Sequence, residues 1–93
     1  MTDNIKQKIK AAANLLKAEG AQAVYLFGSV LDGTDDDYSD IDLAVSGLPA
    51  ENFFRAMGKA YDVLERPLDL IDLDEDNLFS KYLKEKGKLL HVA

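Results

Sequence analysis

The sequence predicts an α/β (α+β) domain: a small mixed β-sheet of three to four strands covered by helices. Three observations carry this. Segments with helical hydrophobic spacing alternate with short apolar runs rich in strand formers. The first two runs are separated by only ~12 residues, too few for an ordinary helical crossover, so their strands pair antiparallel. The second and third runs are joined by a helix of about four turns, which makes a right-handed crossover between parallel strands. At 93 residues the chain reads as one domain, residues 1–93.

Each element has its own signal. Residues 4–19 carry Ile5, Ile9, Ala12, Ala13 and Leu16 at helical spacing, one apolar stripe. Thr2 or Asp3 caps its start, and Gly20 sits where a glycine ends a helix. Ala23–Phe27 (AVYLF) reads as a buried strand. Residues 28–39 have turn chemistry, with two glycines, two serines and four aspartates. Residues 40–45 (DIDLAV) form a second strand. Ser46-Gly47-Leu48-Pro49 is a break, and Pro49 suits the first turn of the next helix, whose face is Phe53, Met57, Ala60, Tyr61 and Leu64. Arg66-Pro67 stops that helix, and residues 68–73 (LDLIDL) form a third strand. Asp74 or Asp76 caps a last helix bearing Leu78, Phe79, Tyr82 and Leu83 and closed by Gly87. Residues 88–92 (KLLHV) are a fourth, edge strand.

Composition narrows the function. Hydrophobic residues make up 47% of the chain and charged residues 30%, which excludes a disordered or collagen-like polypeptide. The longest apolar stretches are about five residues, against the ~20 needed to cross a bilayer. The start, MTDNIKQKIK, lacks the apolar core of a signal peptide. No membrane partner is therefore expected. Without cysteine there is no disulfide, no thiolate zinc site and no cysteine nucleophile, and a cytoplasmic location is the expectation. The net charge of −6 argues against non-specific DNA binding, which runs on Lys and Arg. The charge is also unevenly spread. No Lys or Arg lies between Ala18 and Phe54, where Glu19, Asp32, Asp35, Asp36, Asp37, Asp40, Asp42 and Glu51 all fall. Such a stretch is ordinarily a solvated loop; the sharper reading is that it holds a divalent cation.

The strand connections sharpen that reading. An antiparallel return puts the start of strand two beside the end of strand one, and a parallel crossover puts the start of strand three level with it. Gly28-Ser29, Asp40, Asp42 and Asp69 then meet on one rim of the sheet. Asp40 and Asp42 are two apart on a strand, so both side chains leave the same face. Two such carboxylates repel unless a cation sits between them, and hard oxygen ligands suit Mg²⁺ together with substrate phosphates. Asp69, flanked by Leu68 and Leu70, adds a third carboxylate and would allow a two-metal arrangement. Gly28 lets the backbone approach a phosphate closely, Ser29 adds a hydroxyl, and a short helix starting at Ser29 would aim amides at the same place. A Gly-Ser pair alone is ordinarily a turn, and an Asp-x-Asp alone is more often a solvated strand edge. Both together at this spacing arise by chance on the order of once in a thousand such chains.

The stretch Phe27-Gly28-Ser29, ten residues, then Asp40-Ile41-Asp42-Leu43-Ala44-Val45 resembles the signature of the DNA polymerase β-like nucleotidyltransferase superfamily. The size and the short gap resemble its minimal nucleotidyltransferase branch, the antitoxins paired with HEPN-domain toxins, and nearly the whole chain follows that layout. The resemblance implies a palm-like nucleotidyltransferase fold. It implies that Gly28 and Ser29 hold the nucleotide triphosphate, ATP or another nucleoside triphosphate. Asp40, Asp42 and Asp69 would be the catalytic carboxylates that hold Mg²⁺, two ions, with Mn²⁺ as substitute. The implied reaction is in-line attack of a hydroxyl on the α-phosphorus with release of pyrophosphate. The implied acceptor is a tyrosine of a helical HEPN-domain partner, which is adenylylated and so silenced.

One departure stands out. Many members of that family place an Arg directly after the Gly-Ser pair, where this chain has Val30. Arg55, Lys59 and Arg66 are the internal cations that could substitute, and a partner could supply one. The competing reading is therefore an antitoxin that keeps the fold and neutralises a helical partner by binding alone. Other candidates reduce to structure. Asp72-x-Asp74-x-Asp76 begins like a calcium loop, but Asn77 stands where Gly is wanted and Leu83 where Glu is wanted, so it reads as a helix cap. His91, the only histidine, reads as structural, and Tyr38 as a loop ring covering a core edge. Phe53 and Phe54 are adjacent and cannot both face inward on a helix, so one is expected at the surface as a possible partner contact.

Overall fold

The computed structural model describes residues 2–34 and 39–93. The elements run α1 (Asp3–Ala18), β1 (Ala23–Phe27), α2 (Gly28–Asp32), β2 (Ile41–Ser46), a 3-10 turn (Ala50–Asn52), α3 (Phe53–Leu64), β3 (Leu68–Asp72), α4 (Leu78–Lys86) and β4 (Leu90–His91). The sheet order is β3-β2-β1-β4. β1 pairs antiparallel with both β2 and β4, and β2 pairs parallel with β3. The short return and the helical crossover read from the sequence are thus both present, and all four strands join one mixed sheet.

Strand alternation sorts the sheet into two unequal faces. Val24, Leu26, Ile41, Leu43, Val45 and Leu70 point to the face covered by α1 and α3, where they meet Ile9, Ala13, Leu16, Ala56, Ala60 and Leu64 in the main core. Phe27 and Ala44 point the other way, into a smaller core with Leu73 and Leu83, flanked by Tyr25 and Ile71. That second face is covered by α4 alone among the described residues.

The ends of α1 follow the sequence. The Thr2 hydroxyl accepts from the Ile5 N–H at 3.3 Å, and the chain leaves the helix through Gly20 at φ +118°. The start of α4 does not, although Gly87 closes it as the sequence predicts. Asn77, rather than Asp74 or Asp76, caps it, its side chain accepting from the Ser80 N–H at 2.8 Å. Asp74 is used elsewhere, accepting from the Gly47 N–H at 2.6 Å, and the Asp72 carboxylate accepts from the Asp74 N–H. Gly87 ends the helix in an extended conformation, φ −71° and ψ 150°. Its smallness matters because a Cβ there would press on the Leu83 backbone.

Side-chain placement on the helices differs from the sequence reading too. On α3 the buried positions are Ala56, Ala60 and Leu64, with Phe53 and Met57 partly buried, whereas Tyr61 is exposed. On α4 only Ser80 and Leu83 are buried, while Leu78, Phe79 and Tyr82 face outward. A nine-residue helix on a narrow sheet can bury one stripe, and four large side chains exceed it. The adjacent-phenylalanine expectation holds: Phe53 packs on the main core, Phe54 is 76% exposed, and their rings meet edge to face at 5.6 Å. β4 is shorter than expected, Leu90–His91, and His91 rests its ring on Tyr25 at 5.3 Å.

Candidate functional site

The sheet register places the sequence motifs on one rim. Phe27, the last residue of β1, pairs with Asp42 on β2, and Asp42 pairs with Asp69 on β3. Asp42 and Asp69 share the α4 face because their neighbours Ile41, Leu43, Leu68 and Leu70 turn to the main core. Asp40 lies on the same side, just ahead of β2, and is exposed.

Gly28 opens α2 at φ +79°, in the left-handed region that L side chains avoid. A Cβ there would collide with the Asp42 carboxylate. The Gly-Ser turn and the Asp42 carboxylate are therefore in direct contact, and the glycine is needed twice, for its φ and for its lack of a side chain. Ser29 follows in α2, half-buried, and no side chain caps the start of this helix. The short helix anticipated after Gly28 is present. Its third residue, Val30, is fully buried in the main core. In this chain that position serves packing, not charge.

Asp42 is where electrostatics concentrate. Partial burial raises the pKa of its carboxyl above the ordinary value, and the charges of Asp69 and then Asp40 raise it further. The charges of Asp69 and Asp40 therefore both act on Asp42. They do not close into a finished cage: among the described residues, no three His, Cys, Asp or Glu groups stand close enough together to hold a metal ion. What the rim offers is an open set of hard oxygen donors on one face, repelling one another. That donor chemistry fits a divalent cation held by one or two carboxylates with the rest of its shell from phosphate and water.

The internal cations resolve differently from one another. Arg55 and Lys59 cannot reach the rim. They grip Glu19 at 2.9 and 2.7 Å and hold its carboxyl below the usual range, Lys59 contributing most. Glu19 ends α1 beside the start of β1, and β1 runs about 13 Å before reaching Gly28. Arg66 does lie at the rim, just before β3. Its Nε and Nη2 donate to the Ser39 carbonyl at 3.2 and 2.6 Å, and the Ile41 N–H donates to the Pro67 carbonyl at 2.8 Å. This pair of contacts fixes the backbone on both sides of Asp40. Asp35, Asp36, Asp37 and Tyr38 lie outside the described residues.

Three residues at this rim were not picked out from the sequence: Phe79 and Tyr82 on α4, and Lys88, whose ammonium lies 3.8 Å from the Asp32 carboxylate. With Phe27, Gly28 and Leu83 they line a cavity of about 270 Å³ beside the carboxylates. The signal available was the surplus of large apolar residues at 78, 79, 82 and 83, more than one helix stripe can bury. A larger cavity, about 390 Å³ between Ala50, Phe53, Phe54, Asp72 and Glu75, lies at the opposite rim, at the far ends of β2 and β3, and has no part in this site.

No curated protein sequence matches the chain. Among solved structures it is similar to a chain of a toxin–antitoxin crystal structure with AMP-PNP. That likeness has 30% identity over 90% of this chain and 70% of that chain, with a TM-score of 0.68. It is also similar to a chain of the toxin–antitoxin MntA-HpeT carrying a double Asp-to-Glu mutation, at 28% identity, 90% and 70% coverage and a TM-score of 0.67. A further likeness, to the toxin–antitoxin MntA-HepT, has 23% identity and a TM-score of 0.64, over 99% of this chain and 72% of that one, and speaks to the fold. The sequence model described as "Polymerase beta, Nucleotidyltransferase" matches residues 7–92. With that match spanning nearly the whole chain, and with the Gly-Ser turn seated against a carboxylate of the neighbouring strand, the chain belongs to the polymerase β nucleotidyltransferase family.

Proposed function

We propose that this protein is a Mg²⁺-dependent nucleotidyltransferase that moves AMP from ATP onto a tyrosine hydroxyl of a partner HEPN-domain toxin, and so acts as its antitoxin. The observation that carries the reading is the contact between Gly28 and the Asp42 carboxylate, with Asp69 in register beside it. It supports a phosphate cradle and an acidic cluster working as one site. The solved structures that are similar to this chain are toxin–antitoxin complexes, one of them with a nucleotide analogue, which supports the partner class.

In this reading the acceptor oxygen forms a bond to the α-phosphorus while the α–β phosphoanhydride bond breaks. Pyrophosphate leaves and the hydroxyl proton is released. Ser29 and the backbone after Gly28 hold the departing phosphates, and Asp40, Asp42 and Asp69 would hold the divalent cation. Bound there, that cation supplies charge neutralisation and acidifies the attacking hydroxyl. Asp69 stands exposed on the edge strand β3. Arg66, through the Ser39 carbonyl, steadies the segment that presents Asp40.

The competing reading, an antitoxin that only binds, draws on two observations: Val30 is a core residue where many relatives carry Arg, and the three carboxylates do not form a closed cage. Intact-mass spectrometry of a cognate HEPN-type partner separates the two. Wild type with Mg·ATP should add one or more AMP units, and the Asp40→Ala, Asp42→Ala double variant should add none while remaining folded. No mass increment with any divalent metal, together with full neutralisation by both proteins, leaves the binding-only reading.

A further inference from the structure

We propose that the cavity between α2 and α4 receives the base and ribose of the nucleotide, with Tyr82 and Phe79 as its stacking walls. The inference rests on the phosphate-cradle reading of Gly28 and extends it to the other half of the ligand. The cavity begins at Gly28, so it is continuous with the rim where Asp42 and Asp69 lie. Its volume, about 270 Å³, stands just below the ~300–1,000 Å³ of small-molecule sites. That suits a nucleoside but leaves the charged triphosphate outside, on the carboxylate side.

The walls have the character a base needs. Phe79 and Tyr82 are three apart on α4 and share one face of the helix. They are 48% and 56% exposed, so their ring surface is open to a ligand. The Phe79 ring is steadied by Phe27, centroids 6.2 Å apart, which is buried at the end of β1. The wall is therefore anchored to the same strand that delivers Gly28. Lys88, at the cavity margin, is paired with Asp32 across it and ties the end of α4 to the end of α2. The floor is apolar, Leu83 and Phe27. A base presents a flat apolar face to such a surface whatever its hydrogen-bonding edge. The ligand class is thus a nucleoside triphosphate bound mainly by stacking, with weak discrimination among bases.

Calorimetric titration with two probes at saturating Mg²⁺ tests this: Mg·ATP, which carries a nucleoside, and Mg·tripolyphosphate, which does not. Wild type should bind Mg·ATP roughly tenfold more tightly than Mg·tripolyphosphate. Tyr82→Ala should erase that margin by weakening Mg·ATP alone, and Tyr82→Phe should keep it. Phe79→Ala gives an independent second reading of the same wall. Etheno-ATP fluorescence should be quenched on binding to wild type and not to Tyr82→Ala. Equal affinity of wild type for the two probes, with both lost in Gly28→Val, would overturn the inference while leaving the phosphate cradle standing. An Mg·ATP affinity unchanged by both alanine variants would overturn it as well. If those variants instead weaken only the protein partner, the aromatic face is a docking surface and the inference is wrong. Binding of neither probe by wild type would bring down the phosphate reading along with it.

Discussion

Replacing Gly28 by alanine should destabilise the protein for two separable reasons, and the structure contains the control that separates them. The first reason is conformational. At φ +79° an L side chain costs about 1–2 kcal/mol, reduced by ~0.4–1 kcal/mol because alanine also restricts the unfolded chain. The second is steric. The new methyl would occupy the space of the Asp42 carboxylate, and forcing an extra methyl into a filled site costs about 1–3 kcal/mol. Together they come to about 1–5 kcal/mol. A domain of this size holds about 5–14 kcal/mol in total, so the variant should still fold. Gly33 shares the conformation, φ +77°, but among the described residues nothing lies within 4 Å of a Cβ placed there. Gly33→Ala should therefore show the first cost without the second, about 1 kcal/mol. In an Asp42→Ala background, Gly28→Ala should fall to nearly the same value, giving a coupling of about 1–3 kcal/mol between positions 28 and 42. Urea denaturation followed by circular dichroism on the five proteins measures this, and each kcal/mol should also move the melting midpoint by roughly 4–8 °C. Additivity within ~0.5 kcal/mol would show that glycine and carboxylate are not in contact, and the joined site would lose its main support.

Three further outcomes follow from the same rim. In metal-free buffer Asp42→Asn should be more stable than wild type at neutral pH. A carboxyl whose folded pKa is raised above 3.8 favours the folded state fully below 3.8 and loses that contribution as pH rises through the folded value, so the advantage of Asn should vanish near about pH 3. Millimolar Mg²⁺ or Mn²⁺ should raise the wild-type melting midpoint and leave that of Asp40→Asn, Asp42→Asn unchanged; an equal shift in both would place the cation elsewhere. Arg66→Ala should cost about 1–2 kcal/mol in urea denaturation by removing the guanidinium's Nε and Nη2 bonds to the Ser39 carbonyl, and Arg66→Lys should recover only part of it.

What was legible in the sequence was whatever depends on spacing along the chain. Strand runs, the ~12-residue return and the helical crossover fixed which ends meet, so Gly28, Asp42 and Asp69 came together as expected. Less legible was whatever depends on competition between neighbouring groups for one partner. Asp74 and Asp76 are as good helix caps as Asn77, but the Gly47 amide draws Asp74 away and leaves the cap to Asn77. Tyr61, Phe79 and Tyr82 have the apolar character of core residues. The width of the sheet, which no local pattern encodes, leaves them outside. By sequence Arg55 and Lys59 are available to a phosphate, but in the fold Glu19, forty residues from Lys59, holds both. Three long side chains meeting at a point is a property of the folded surface, not of the sequence order.

The unequal cover of the two sheet faces carries a consequence for how the molecule opens. α1 and α3 interlock with three strands across the main core, whereas α4 is held by Leu83, by the Phe79 ring against Phe27, and by Ser80 with its hydroxyl on the Asp72 carbonyl at 2.9 Å; the segment after it is tied to β1 by β4 and by the backbone bonds of Val92 and Ala93 to Val24. Burying one leucine stabilises by about 1.5–3 kcal/mol, so lifting α4 costs less than global unfolding. Amide protons of α4 should exchange with solvent through such partial openings, while those of β2 and of the inner turns of α1 wait for the whole fold to come apart. The segment that can lift also lines the cavity that begins at Gly28. A displacement of α4 would therefore reshape that cavity without disturbing the cooperative body beneath it.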